Sequence, residues 1–330
     1  MSIKIVATGA AIPSLRIDNK FIGFKTKTDF KWIEKRTGIK SRFYINIKKK
    51  ENGSKLALKA SLRAIKKSGI NKNEINFVIC CNFVGDYIFP CMAAKLVKLL
   101  KLRKSGAFDL SANCTSFQIG LSLASDMFKT NKHLENILLV GCAVQSPFLN
   151  WNNVENCMYF GDGAGAAVIA RGKNNSGVIS TDIFCDPTSY EDVKLEGGGS
   201  QLPSKYYNKR NKDKYLYKMS GIETWKQVIT NQPKNIFAAL KKIKRKIQDI
   251  DVFIFHQANK ILIDYLVKKL QIPKHKVVYT VHKYGNTADA SLIITLDEAL
   301  KNKKIKKNDL VLISGVGAGF IYGTSIVKWD

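Results

Sequence analysis

The chain has 330 residues, 45% of them hydrophobic, and 54 Lys and Arg against 26 Asp and Glu give a formal net charge of +28 at pH 7. That length and apolar share predict a globular protein of about two domains with large cores. Seven cysteines (Cys80, Cys81, Cys91, Cys114, Cys142, Cys157 and Cys185) are an odd number with an adjacent pair and no paired metal spacing, which argues against a disulfide framework or a zinc site, and the expected compartment is a reducing cytoplasm.

The first nine residues, Met-Ser-Ile-Lys-Ile-Val-Ala-Thr-Gly, lack a basic region followed by a long apolar core, so they read as a strand and not as a signal peptide. Residues 76–81 form a second apolar strand. Ala107-Phe-Asp-Leu110 then leads through Ser111-Ala-Asn to Cys114, after which apolar residues recur at Phe117, Leu121, Ala124 and Phe128 with helical period. Cys114 therefore stands at a predicted helix N-terminus, where free amides and the macrodipole stabilise a thiolate, the nucleophilic form. A lone cysteine more often fills core space. After a strand over residues 136–141 comes Gly161-Asp-Gly-Ala-Gly165, which precedes the apolar run 166–170 where a dinucleotide motif would open an amphipathic helix. It reads as a turn between strands.

Residues 173–177 are a polar, glycine-containing link, which divides the chain into 1–172 and 173–330. Residues 186–218, rich in Gly, Lys, Tyr and Ser, read as a surface excursion. The strand 251–255 ends at His256, and a helix is expected over 257–270. Asn286 follows the β-branched run 277–281 and precedes an apolar helical pattern over 292–300. Taken singly, His256 is read as a core histidine and Asn286 as a turn or cap residue. Residues 310–327 are uncharged and about as long as a short membrane span, but Gly315, Gly317, Gly319 and Gly323 among β-branched residues predict two buried strands joined by a glycine turn. The same order of strands, helices and a Gly-x-Gly-Ala-Gly motif in both halves predicts a duplicated α/β architecture.

The lysine clusters at 241–246 and 301–307 lack interleaved aromatics or a nucleic-acid-binding module. Lysine is enriched throughout, so no nucleic-acid partner is expected, although an acidic protein would be steered by such a field.

Six segments, in order along nearly the whole chain, carry a family resemblance: Trp32-Ile-Glu-Lys-Arg-Thr-Gly-Ile39, Ala107-Phe-Asp-Leu110, Phe160-Gly-Asp-Gly-Ala-Gly-Ala-Ala-Val168, Phe255-His-Gln-Ala-Asn259, Tyr284-Gly-Asn-Thr-Ala-Asp-Ala-Ser291 and Gly319-Phe-Ile-Tyr-Gly323. The chain resembles β-ketoacyl-(acyl carrier protein) synthase III, a thiolase-fold condensing enzyme. The resemblance implies a layered α-β-α-β-α thiolase-like fold of two βαβαβαββ halves. It places Cys114, His256 and Asn286 on the catalytic triad and the backbone amides of Cys114 and Ala318 on the oxyanion site. Trp32 and Arg36 fall on CoA and phosphopantetheine contacts, and Lys268 and Lys269 on the helix that docks acyl carrier protein, with Lys260 beside the position of an entrance arginine that this chain lacks. A homodimer is implied, in which Tyr87, Ile88 and Phe89 reach the partner's acyl pocket, bordered also by Val316. Acyl-CoA and malonyl thioesters are the implied substrates, with no metal or redox cofactor.

The chain departs from the family at several places. Thr115-Ser116 replaces a small residue and a glycine, Val316-Gly-Ala-Gly319 replaces a phenylalanine and three glycines, residues 152–155 lack an adenine-contacting arginine, and Ile261 replaces an entrance arginine. These leave fatty-acid initiation and a specialised lipid, quinolone or polyketide role both open. Three function classes are weighed: a decarboxylating Claisen synthase, an acyltransferase to oxygen or nitrogen with His256 as base, and a non-catalytic subunit, which the complete triad disfavours.

Overall fold

The computed structural model describes residues 3–172 and 176–330, so the expected boundary at residue 173 lies outside the described residues. The chain begins with β1 (Ile3–Ala11) and a small ribbon, β2 (Leu15–Asp18) with β3 (Ser41–Tyr44), which brackets α1 (Asn19–Thr26) and α2 (Phe30–Thr37). Then follow α3 (Gly53–Ser68), β4 (Ile75–Cys81), α4 (Met92–Leu100), β5 (Gly106–Leu110), α5 (Ser116–Thr130), β6 (Asn136–Ala143) and β7 (Gly163–Arg171). The first sheet has the order β1-β7-β6-β4-β5. β4 pairs parallel with β5 and β6, whereas β6–β7 and β7–β1 are antiparallel.

The second run comprises β8 (Gly177–Cys185), the ribbon β9 (Val193–Lys194) with β10 (Lys218–Met219), α6 (Gly221–Lys242), β11 (Val252–Phe255), α7 (Lys260–Lys269), α8 (Val281–Tyr284), α9 (Ser291–Lys301), β12 (Leu310–Gly317) and β13 (Ile321–Lys328). Its sheet, β11-β12-β13-β8, repeats the senses of the first: one parallel pair, then two antiparallel ones. A lone parallel bridge from Phe253 to Val277 occupies the place that β5 takes beside β4.

Near-continuous apolar runs such as Ile137–Val140 and Val311–Ile313 are buried throughout, as strands covered on both faces must be. Between the sheets, Phe117, Leu121, Ala124 and Phe128 of α5 and Leu292, Ile293, Leu296 and Ala299 of α9 pack against Ile79, Leu139, Ile254 and Ile313. Ala57, Ala60 and Ala64 of α3 with Leu96 and Leu100 of α4 cover the outer face of the first sheet. Ile236 and Leu240 of α6 with Ile263 and Val267 of α7 cover that of the second. The result is the five-layered α-β-α-β-α arrangement expected of a thiolase-like fold.

Two local expectations are corrected. The β-branched run 277–281 makes a single bridge at Val277 and then turns into α8, because Gln257 Oε1 accepts from the Thr280 and Val281 amides at 2.8 and 3.0 Å. The two glycine motifs are also more strand than turn: Gly163–Gly165 lies in β7 and Gly315–Gly317 in β12. The uncharged stretch 310–327 is a pair of antiparallel strands, and no helix among the described residues is long and apolar enough to cross a membrane.

One glycine controls how closely the layers meet. A Cβ on Gly141 of β6 would stand 2.3 Å from the Asp289 carbonyl oxygen, a backbone atom with no room to yield. Gly141→Ala is expected to lower stability by about 2–3 kcal/mol, measured as a drop in denaturation midpoint at unchanged m value. A wild-type midpoint would refute this packing.

Candidate active site

Cys114 lies in a 3-10 turn, Asn113–Thr115, immediately before α5. The residues around it tie the turn to the C-terminal hairpin. Asn113 Nδ2 donates to Ala318 O at 3.1 Å, Thr115 Oγ1 to Ile321 O at 2.7 Å, and Gln118 Nε2 to Gly323 O at 3.2 Å. Burial, reinforced by nearby Asp289, pushes the Cys114 thiol up, and its own backbone amide only partly offsets this. The thiolate expected from the helix start is therefore not the resting form: desolvation outweighs the dipole.

His256 terminates β11 and is buried. A Cβ built on Gly315 of the neighbouring β12 would stand 3.2 Å from His256 Cβ and 3.4 Å from Cys114 O, so the two residues flank the same strand end. Burial depresses the His256 imidazole to about 4, which leaves it neutral at physiological pH. Its Nδ1 lies 2.5 Å from Ser291 Oγ. Ser291 Oγ has no other side-chain contact among the described residues, and it can donate to a bare Nδ1 or accept from Nδ1–H, according to the tautomer. The following residues of the motif are structural. Gln257 braces the segment ahead of α8, and Asn259 caps α7 by accepting from Ile261 N at 2.8 Å.

Asn286 is held by its backbone. Its N–H donates to Tyr159 O at 2.8 Å, and its carbonyl accepts from Gly161 N at 2.9 Å and Gln145 Nε2 at 2.8 Å. Its Oδ1 accepts from Ala288 N at 2.9 Å, which leaves Nδ2 without a protein partner among the described residues. Asp162, in the Phe160-Gly-Asp-Gly segment, anchors this arrangement from below. Its buried carboxylate accepts from Ile45 N, Gln145 N, Ser146 N and Ser146 Oγ at 2.5 to 2.9 Å.

The other expected residues are placed as follows. Ala318 sits in the β12–β13 turn beside Asn113. Trp32 and Arg36 share the exposed face of α2, whose Gly38 cap abuts the Lys260 side chain. Asn152, in the segment 152–155 where an adenine-contacting arginine is expected and is lacking, reaches Asp213 of the surface excursion at 3.5 Å. The Lys260 ammonium is engaged by Asp264 at 2.6 Å and lies over Tyr279, and Lys269 Nζ donates to Ile229 O at 2.7 Å, while Lys268 is exposed. Tyr87 lines a cavity of about 270 Å³ with Val84, Asp86, Val144 and Phe148, whereas Ile88 and Phe89 are 85% and 83% exposed. Val316 is not among the cavity's lining residues. It packs with Val228, Leu262, Phe320 and Tyr322.

Sequence reasoning missed Ser291, Gln145 and Tyr217. Tyr217 joins an aromatic cluster with Phe83, Phe148 and Phe160, at centroid distances of 5.1 to 6.2 Å, beside Cys114. No local signal marks these roles, because each depends on a partner far away in the chain.

The Ser291 contact, with the hydroxyl assigned as donor to Nδ1 and the ring proton to Nε2, yields a spectroscopic prediction. Nitrogen NMR of labelled imidazole is expected to report Nε2 protonated in the wild type and mixed tautomers in Ser291→Ala, and an Nδ1-protonated wild type would refute the assignment. The depressed His256 value also sets an acid window. The unfolded ring gains its proton first as pH falls, so the stability carried by the neutral ring is complete above about 6.5 and drains away toward about 4.

Comparison with known proteins identifies the family. Family models match over residues 108–187, "3-Oxoacyl-[acyl-carrier-protein (ACP)] synthase III", and over residues 240–329, its C-terminal part. The chain is 36% identical to the β-ketoacyl-[acyl-carrier-protein] synthase III of Natranaerobius thermophilus over 331 residues, covering 99% of both chains. It is 34% identical to the enzyme of the same name from Rickettsia rickettsii over the full length of both. Among solved structures, the 3-oxoacyl-[acyl-carrier-protein] synthase III of Aquifex aeolicus superposes with a TM-score of 0.91 at 29% identity, covering 99% of this chain and 100% of that one. The protein therefore belongs to the β-ketoacyl-acyl-carrier-protein synthase III family of thiolase-fold condensing enzymes.

Proposed function

We propose that the chain joins an acyl group carried on Cys114 to a malonyl thioester by decarboxylative Claisen condensation, in the initiation of fatty-acid chains on acyl carrier protein. In the first half-reaction Cys114 Sγ attacks the thioester carbonyl of an acyl-CoA or acyl-carrier protein. The oxyanion is held by the backbone amides of Cys114 and Ala318, and the departing CoA or carrier thiolate takes the thiol proton. In the second, His256 Nε2–H and Asn286 Nδ2–H donate to the malonyl thioester carbonyl, carbon dioxide leaves, and the resulting carbanion attacks the acyl-Cys114 carbonyl. The C–S bond breaks, the β-ketoacyl thioester departs, and the cysteine regains a proton from solvent.

The observation that supports this reading is that His256 Nε2 and the Asn286 amide Nδ2 both lack a partner among the described residues, while burial keeps the imidazole neutral. A neutral donor suits enolate stabilisation. The alternative, ester or amide formation with His256 as general base, is disfavoured because an imidazole depressed to about 4 is a weak base at neutral pH. Relatives named as β-ketoacyl-carrier-protein synthases favour the same choice.

Three expected outcomes test it. Cys114→Ala abolishes acyl-enzyme formation in intact-mass measurements with a panel of acyl-CoAs and acyl-carrier proteins, whereas an adduct mapped to another cysteine sinks the assignment. His256→Ala and Asn286→Ala each reduce release of labelled carbon dioxide from malonyl-carrier protein by about 10²–10³-fold, with self-acylation much less affected. Condensation left intact in Asn286→Ala would favour the acyl-transfer alternative.

The assembly proposed is a homodimer, in which the exposed Ile88 and Phe89 are covered by the partner. Carrier-protein docking is assigned mainly to Lys268, since the ammonium groups of Lys260 and Lys269 already have partners on their own chain.

A further inference from the structure

Asp289 is the least expected group near the nucleophile. It is only 2% exposed, and no lysine or arginine pairs with it. One oxygen, Oδ1, lies 3.1 Å from Ser116 Oγ, and the other, Oδ2, is buried without any partner. Ser116 Oγ in turn accepts from Ala112 N at 3.0 Å and lies 2.7 Å from Asn113 O. These contacts enclose the turn that carries Cys114.

Proton counting separates two states of this cluster. Ser116 has a single hydroxyl proton and two acceptors within reach. If Asp289 were ionised, that proton would serve either the carboxylate or the Asn113 carbonyl, and a charged oxygen would remain orphaned in the protein interior, a costly arrangement. If Asp289 is protonated on Oδ1, every donor is used: Oδ1–H donates to Ser116 Oγ, Ser116 Oγ–H donates to Asn113 O, and Ala112 N–H donates to Ser116 Oγ. Only a neutral carbonyl oxygen is left unpaired.

We propose that Asp289 is held as a neutral carboxylic acid and, through Ser116, acts as a positioning residue for the turn that presents Cys114, so that its ionisation opposes formation of the Cys114 thiolate. The proposal rests on Cys114 being the nucleophile. The surroundings agree. Titratable neighbours facing Asp289 are Cys81 of β4, Cys142 of β6, Cys114 of the turn and Tyr217 of the excursion, all neutral at rest. α9 contributes Asp297 and Glu298, which pair with Lys67 and Lys283 instead, and Arg171 at the far end of β7 bonds the Phe128 and Asn131 carbonyls. Burial raises the Asp289 carboxyl to about 7, against a hydrogen bond from Ser116 that lowers it.

The test is the pH profile of Cys114 alkylation by iodoacetamide in the wild type and in Asp289→Asn, whose amide can donate to Ser116 without ever ionising. Alkylation needs no substrate, so its outcome is independent of the condensing reaction. The variant-to-wild-type rate ratio is expected to be near one at about pH 6 and to rise to roughly tenfold by about pH 8.5, the effect of one pKa unit at the thiol. A ratio of one throughout would overturn the proposal, since Asp289 would then not act on the thiol. A large ratio already present at pH 6 would overturn it too, since the carboxyl would be ionised at rest.

Stability gives a second readout with a fixed sign. The folded-state value lies above the unfolded one, so the wild type loses stability relative to Asp289→Asn as pH rises from about 4 to about 7, and the gap then stays constant. A gap independent of pH would refute the neutral acid. Should the variant not fold, carbon NMR of aspartate-labelled wild type decides: the Asp289 carboxyl must titrate near pH 7, and titration in the ordinary carboxylate range overturns the proposal.

Discussion

The nucleophile's turn is held by the opposite half of the molecule. Asn113, Thr115 and Gln118, all in the first half, donate to carbonyls of the β12–β13 hairpin in the second. The reciprocal holds for Asn286, whose backbone is fixed by Tyr159, Gly161 and Gln145 of the first half. Each such bond contributes only about 1 kcal/mol net, but together they lock three side chains from distant parts of the chain into one register. Burial of α5 and α9 between the two sheets supplies the bulk of the cohesion.

Electrostatically the interior of the site favours neutral groups. Burial is the leading cause in every case: it pushes up the thiol of Cys114, the phenol of Tyr217 and the carboxyl of Asp289, and pushes down the imidazole of His256. No cation among the described residues is paired with any of them. Burial thus disfavours charge throughout the site, and an anion formed there would gain most from fixed N–H donors in a low dielectric.

Much of this was legible in the sequence, for identifiable reasons. α5 announced itself through Phe117, Leu121, Ala124 and Phe128, and β12 and β13 through glycine and β-branched residues, because period and turn chemistry are local properties. The motif segments located Cys114, His256 and Asn286. What was not legible depended on partners remote in the chain. The burial that pushes the Cys114 thiol up was not legible, because the helix start is local and burial is not. Lys260 looked available until Asp264, one helical turn on, proved to hold it.

The crossed bonding between halves has a consequence for how such enzymes can diversify. Because the second half supplies the carbonyls that aim the cysteine, and the first half supplies the groups that aim the asparagine, neither half is a self-sufficient cassette. A chimera that splices the front of one relative onto the back of another inherits a working site only if both sides of this seam come from compatible parents. Recombination within the family is therefore constrained at the seam, and residues 186–218 are tied into it, because Tyr217 N donates to Phe148 O and the Tyr217 ring joins the aromatic cluster beside Cys114.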